Sequence, residues 1–181
     1  MNKKRQQLID IAFMLFYKNG INTIGINEIL KVSGIAKKTL YNHFEGKQEL
    51  IIAALEQRHS VFLTWLEDKL KDASSNKELV DRLFVALESW FLNTEPMLGD
   101  FHGCFFINSA AEFSGSNHHI SILCRKHKHQ VRQVIAQAMN NRSPLLLDAI
   151  CIMKEGAITS AYVTNDTSAA RKCISVLGKF V

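Results

Sequence analysis

Proline is scarce: Pro96 and Pro144 are the two in 181 residues, and both fall between helix-like stretches. Little therefore interrupts long helices, and an all-α chain is expected. The four cysteines, Cys104, Cys124, Cys151 and Cys173, include no CxxC pair. Their spacing suits neither a zinc finger nor a small disulfide scaffold, so they read as reduced thiols of a cytoplasmic protein. No apolar run approaches the ~18 residues that cross a bilayer, so no membrane partner is expected. The basic start, Met1–Arg5, is followed by an apolar run that Asp10 interrupts, with no small-residue cleavage site, so no secretory leader is expected. Also missing are HExxH, GxSxG and a glycine-rich phosphate loop. No catalytic residue, metal ligand or cofactor is assigned. There is no internal repeat and no low-complexity segment.

What is present is ordinary for a globular protein: 47% hydrophobic and 22% charged residues, with a net charge of +5. The charge is uneven. Residues 1–60 hold nine Lys or Arg against five acids, and the remaining 121 hold 13 against 12. The basic excess thus lies in the first third, where it would attract phosphates in a salt-dependent way.

That third contains the most informative stretch, Thr23 to Lys47. Ile26, Ile29 and Leu30 recur at i, i+3, i+4, one apolar helical face, and Thr23 is the expected N-cap. Gly34 stands where a helix often ends left-handed. A second helix is expected over about Lys37 to Phe44, with Leu40 and Phe44 facing the core. Lys37, Lys38, Thr39 and Asn42 lie outward, with donors able to read base edges. Two short helices, a glycine turn and a basic second helix are the parts of a DNA-binding helix-turn-helix.

The same stretch resembles the DNA-binding domain of the tetracycline-repressor (TetR) family of bacterial transcription regulators. The matching residues are Gly20, Thr23, Ile29, Ser33-Gly34-Ile35, Thr39-Leu40-Tyr41, His43-Phe44, Lys47 and Leu50. The chain departs at Ala36, where the family usually has Ser, so the second helix lacks a side-chain cap worth roughly 0.5–2 kcal/mol. It departs again at Lys38, where a small residue is common. The resemblance implies that Tyr41, His43 and Lys47 touch phosphates, which set register rather than sequence. The candidate DNA-binding set is therefore Thr23, Lys37, Lys38, Thr39, Tyr41, Asn42, His43 and Lys47. The implied partners are a double-stranded DNA operator, a small-molecule effector and a second copy of the chain.

A helix-turn-helix domain is expected over 1–47, and a helical regulatory and dimerisation domain over 48–181, about nine helices in all. Helix 1 is expected from about Lys3 to Lys18. The later helices are expected near 46–72 (Gly46 as cap, Glu49 completing a capping box), 77–93, 104–113, 118–140, 144–163 and from 167. The break between the sixth and seventh is expected at Gly115-Ser116-Asn117. The eighth is apolar nearly all round and the ninth carries a stripe ending at Val181, so a dimer interface is expected at Ile150, Met153, Ala157, Ala161, Ile174 and Leu177. The second half is rich in aromatics. Phe62, Trp65, Trp90, Phe105, Asn108, Glu112 and Tyr162 are the candidate effector pocket, although each aromatic also reads as plain core.

Cys104 opens the sixth helix, a position where thiols are more reactive, and is a candidate redox sensor; it equally reads as a small buried hydrophobe. Five of the seven histidines cluster at His102, His118, His119, His127 and His129. Cys124 and His127 share a helix face but fall short of four ligands, so a polar face is expected. The function read from the sequence is a ligand-responsive DNA-binding regulator, most simply a repressor. Alternatives are a thiol-sensing repressor using Cys104 and a small helical enzyme with a vestigial helix-turn-helix.

Overall fold

A computed structural model describes residues 2–113 and 119–181. Among the described residues there are nine α-helices and no strand. They are α1 (Lys3–Asn19), α2 (Ile26–Ser33), α3 (Lys37–Tyr41), α4 (Lys47–Leu70), α5 (Asn76–Phe91), α6 (Phe105–Glu112), α7 (His119–Ala138), α8 (Pro144–Thr164) and α9 (Ala169–Leu177). The expected helices are present, with bounds moved by a few residues. The expected break at 115–117, and His118 as a helix start, lie outside the described residues. No described helix is long and apolar enough to cross a membrane.

The differences at helix ends have local causes. Thr23 does not cap α2. Gly25 does, with extended backbone (φ −91°, ψ 163°) and no side-chain bond, because Thr23 is spent in the turn before it. The helix α3 stops at Tyr41, three residues early: the His43 and Phe44 amides share the Leu40 carbonyl, one at i−3 and one at i−4, so the last turn tightens. The Glu49 carboxylate reaches back to the Glu45 amide (2.6 Å), one residue before the expected cap. In α9 the helix ends at Leu177, so Val181 lies beyond its stripe.

The chain forms two compact units, Met1–Ser60 with Phe105–His127, and Val61–Cys104 with Lys128–Val181. Compactness thus cuts the chain elsewhere than the expected functional boundary at 47. The first unit packs α1, α2, α3 and the start of α4 around Leu8, Ala12, Phe16, Ile29, Leu40, Phe44 and Leu50, all buried. Phe105 joins this core, meeting Phe13 and Tyr17 edge-on at centroid distances of 5.3 and 5.9 Å. In the second unit α5, α8 and α9 pack together over Leu79, Leu83, Phe84, Leu87, Ile150, Ala157, Ala170 and Leu177. Each such Leu, Ile or Phe contributes roughly 1.5–3 kcal/mol by leaving water.

Candidate nucleic-acid interface and the elements behind it

The turn between α2 and α3 is built as its sequence requires. Gly34 is left-handed (φ 66°, ψ 10°), a conformation other residues adopt at a cost. The Ser33 hydroxyl donates to the Leu30 carbonyl (3.3 Å) and accepts from the Ile35 amide (3.2 Å). From α1, the Gln7 side-chain amide donates to the Ser33 carbonyl (3.0 Å), so the turn is tied to the first helix. Ala36 precedes α3 with no side-chain cap.

On α3, Leu40 and Phe44 are fully buried while Lys37, Lys38, Tyr41 and Asn42 are exposed. Thr23 is exposed, and Thr39 and His43 are half-buried. Lys47, a candidate phosphate contact, has its ammonium turned back onto its own unit. Its ammonium donates to the Ile21 carbonyl (2.6 Å) and sits 5.9 Å from the Phe16 ring centroid. Burial pushes the Lys47 ammonium below its usual value, with Glu112 pulling the other way.

Glu112, at the end of α6, is where the sequence misled most within this unit. Its carboxylate accepts from the Ile21 amide (2.8 Å) and the Asn22 amide (2.6 Å). The turn that enters α2 is therefore held through both ends of one residue: Glu112 takes the Ile21 N–H and Lys47 takes its C=O. Gly20 supplies the approach, with φ 84° and room for a Cβ only 3.4 Å from the Glu112 Oε1. The signal was an acid at a helix C-terminus, where the helix dipole disfavours it and a partner outside the helix is needed.

The other candidate pocket residues divide between the units. Phe62, Trp65 and Trp90 are buried in a run of ring contacts that continues through Phe91 and Phe101 to Tyr162, with centroids 4.8–6.4 Å apart. Phe62, Trp65, Trp90 and Phe91 fill one another's space as core, Tyr162 is half-exposed, and the Trp65 indole N–H donates to Glu95 (3.0 Å). Phe105, the half-buried Asn108 and Glu112 belong to the first unit. That unit has a small pocket of about 50 Å³ bounded by Leu55, Glu56, His59, Phe106, Leu123, Lys126 and His127. Sequence reasoning missed it, because His59 and His127 are 68 positions apart and share no periodic signal.

Cys104 is buried immediately before α6. The Lys128 ammonium donates to its Sγ (3.3 Å) and to Glu155 (2.6 Å), and Glu155 is also bonded by the buried Lys154. Burial works against the charge on Lys128, and Cys104 with Glu155 outweighs it, so its ammonium is held above the usual lysine value. None of the four cysteines is joined in a disulfide among the described residues. Among the described residues no group of three or more His, Cys, Asp and Glu is placed to hold a metal ion.

The expected interface set needs correction. Ile150, Ala157, Ala161 and Leu177 are buried within their own chain, and Met153 and Ile174 are half-buried. The side of α8 open to solvent is a different one, with Leu145 78%, Ile152 72% and Val163 70% exposed. Sequence pattern could not choose between two apolar faces of one helix.

The profile described as "Bacterial regulatory proteins, tetR family" matches residues 8–54. An HTH-type transcriptional regulator of Staphylococcus aureus (strain USA300) is 33% identical over 78 residues, 43% of this chain and 42% of that protein. The match thus spans less than half of that relative's length. Over the whole chain the fold is that of known regulators. A putative TetR transcriptional regulator from Streptomyces avermitilis has 24% identity and a TM-score of 0.80, covering 99% of this chain and 98% of that one. A TetR-family transcriptional regulator from Streptomyces coelicolor has 20% identity and a TM-score of 0.81, covering 97% and 93%. Residues 8–54 thus match the DNA-binding domain of the bacterial regulatory proteins of the tetR family, and the all-helical fold along the chain is the one seen in solved TetR-family regulators.

Proposed function

We propose that the protein is a dimeric, ligand-responsive DNA-binding repressor. One observation carries the reading: α3 buries Leu40 and turns Lys37, Lys38, Tyr41 and Asn42 to solvent beside a left-handed glycine turn. Those donors suit a major groove, lysine toward guanine and asparagine toward adenine. Two copies of α3 would grip a palindrome when about one DNA turn, or a multiple of it, separates them.

The second copy docks on α8. Leu145, Ala149, Ile152, Gly156, Thr159 and Val163 follow steps of four and three along one stripe, the spacing of a helix-packing seam. Ala149 and Gly156 are small enough to let a partner helix come close. An effector acts by its differential affinity for two spacings of the reading heads. The pocket beside His59 and Phe106, apolar with a few polar groups, has the make-up of such a site.

The test is fluorescence anisotropy on the DNA upstream of the gene, across a salt series. The reading expects tight binding that falls steeply with salt. Tyr41→Ala weakens binding to all sequences, while Lys38→Ala changes sequence preference. Turnover of a bound small molecule without salt-sensitive DNA affinity would support a helical enzyme instead.

A second reading, a thiol response, is favoured by the Lys128 ammonium 3.3 Å from the Cys104 sulfur. Hydrogen peroxide would oxidise the thiol to a sulfenic acid, its O–O bond breaking to leave water as the other product. Release of DNA by peroxide in the wild type, lost in Cys104→Ser, is its expected result; equal release in both would reject it.

A further inference from the structure

The imidazoles of His59 on α4 and His127 on α7 meet Nδ1 to Nδ1 at 2.9 Å. Both residues belong to the first unit, which also carries α1 to α3. His127 is 3% exposed, and its ring lies flat on Phe106, with centroids 3.5 Å apart and planes 7° apart. The His59 ring stands nearly perpendicular to His127, at 77°.

The distance fixes the protons. One Nδ1 must carry hydrogen and the other must accept it. A first added proton goes to the far nitrogen of the donor ring and leaves this bond intact, strengthened by the charge. A second proton has one place left, the nitrogen that accepts. It would set two N–H groups face to face and two positive rings side by side. The folded pair therefore has room for one extra proton, and the unfolded chain, with two free imidazoles titrating near pH ~6.5, has room for two.

The surrounding charges do not remove this limit. The exposed Glu56 on α4 favours the extra proton and the exposed Lys126 on α7 opposes it, both screened by solvent at the pocket rim. Arg58 on α4 is engaged over the Phe13 and Tyr17 rings, each 5.3 Å away. Cys124 lies one turn before His127 on α7. From α6 the pair meets Phe106, while Glu112 is taken by Ile21 and Asn22.

We propose that His59 and His127 form a proton-operated joint between α4 and α7, closed at neutral pH and forced apart when both rings are protonated. No periodicity or motif assigns these residues a role. A consequence for DNA affinity rests on the repressor reading; the joint itself does not.

The sign follows from proton counting. Below about pH 6.5 the unfolded chain binds one more proton than the folded pair, so stability falls as pH falls. Thermal unfolding of the whole chain would be followed from pH 7.5 to 5.0 in EDTA, for wild type and His59→Gln. Glutamine can keep a hydrogen bond to His127 and does not titrate. Between pH 6.0 and 5.0 the wild type is expected to lose about 3–6 °C more than His59→Gln. Parallel curves would overturn the joint. Should the variant fail to fold, ¹⁵N NMR of the wild-type histidines decides. One protonated and one bare Nδ1 at pH 7.5 is the expected pattern, and hydrogen on both Nδ1 atoms in the folded protein at that pH would overturn it.

Discussion

The Glu112 carboxylate and the Ile21 amide are 91 positions apart in sequence and 2.8 Å apart in the fold. Through that bond, and its twin to Asn22, the end of α6 grips the turn from which the helix-turn-helix begins. Lys47 completes the grip on the Ile21 carbonyl.

Removing this grip should weaken the unit that carries α2 and α3. Glu112→Ala leaves two amides without their acceptor, and hydrogen bonds to a charged group contribute about 1.5–3 kcal/mol each before solvent replaces part of them. Asn22 is exposed, so water recovers much of its share. The expected net loss is roughly 1–3 kcal/mol, read by denaturant unfolding. Glu112→Gln, which keeps an acceptor, should lose less. Equal stability of Glu112→Ala and wild type would show that the grip contributes nothing.

Two glycines with the same backbone sign should respond differently to alanine. Gly34 (φ 66°) has open space around an added Cβ, so Gly34→Ala carries only left-handed strain, roughly 1–2 kcal/mol. At Gly103 (φ 78°) the Cβ would meet the Tyr162 ring at 2.9 Å, and a clash is added to the strain. Gly103→Ala should therefore cost more, and Tyr162→Ala should relieve part of the excess in a double-mutant cycle. Additive effects would remove the ring from the account.

In the proposed dimer, the exposed face of α8 decides assembly. Ile152→Glu places a charge on the exposed stripe and should leave a folded monomer, seen by analytical ultracentrifugation with unchanged circular dichroism. Ala157→Glu buries the same charge inside the chain and should unfold it. A dimer that survives Ile152→Glu would move the interface elsewhere.

Glu155 should contribute to the acid sensitivity of the second unit. Burial pushes its carboxyl up, but Lys154 and Lys128 outweigh that and hold it below the usual carboxylate value. A depressed carboxyl stabilises the fold above its unfolded value of about 4.3, and that stability is lost as pH falls through the folded value. Glu155→Gln leaves Lys154, only 4% exposed, without its counter-charge. The cost should sit at the lower end of about 3–5 kcal/mol, because Glu155 keeps 31% of its side chain in solvent. The melting-temperature gap between wild type and Glu155→Gln should close below pH ~4.

The parts of the molecule readable from sequence were those fixed by neighbours in the chain. The α2 stripe, the Gly34 stop and the buried Leu40 and Phe44 follow from short spacings, and each appears in the structure. The capping role given to Thr23 failed over two residues, because a turn and a cap compete for the same hydroxyl-bearing stretch. Partnerships across distance were not readable. Glu112 was assigned to a pocket because its helix neighbours suggested one, while its partners are backbone amides, which carry no sequence signature. The aromatic cluster announced its composition but not whether its rings enclose space or fill it. Ile150, Ala157 and Ala161, expected at an interface, are covered by their own chain, because a helix apolar all round has no periodicity to say which side that chain covers.

The first compact unit is discontinuous: residues 1–60 are completed by 105–127, and Phe105 and Glu112 supply its core and its grip on the turn. A ribosome makes the helix-turn-helix first, yet the contacts that finish its home arrive some fifty residues later. Long-range closure of this kind slows folding and leaves apolar surface waiting. A chain cut short before α6 would carry every exposed side chain of α3 and still lack the residues that complete its unit.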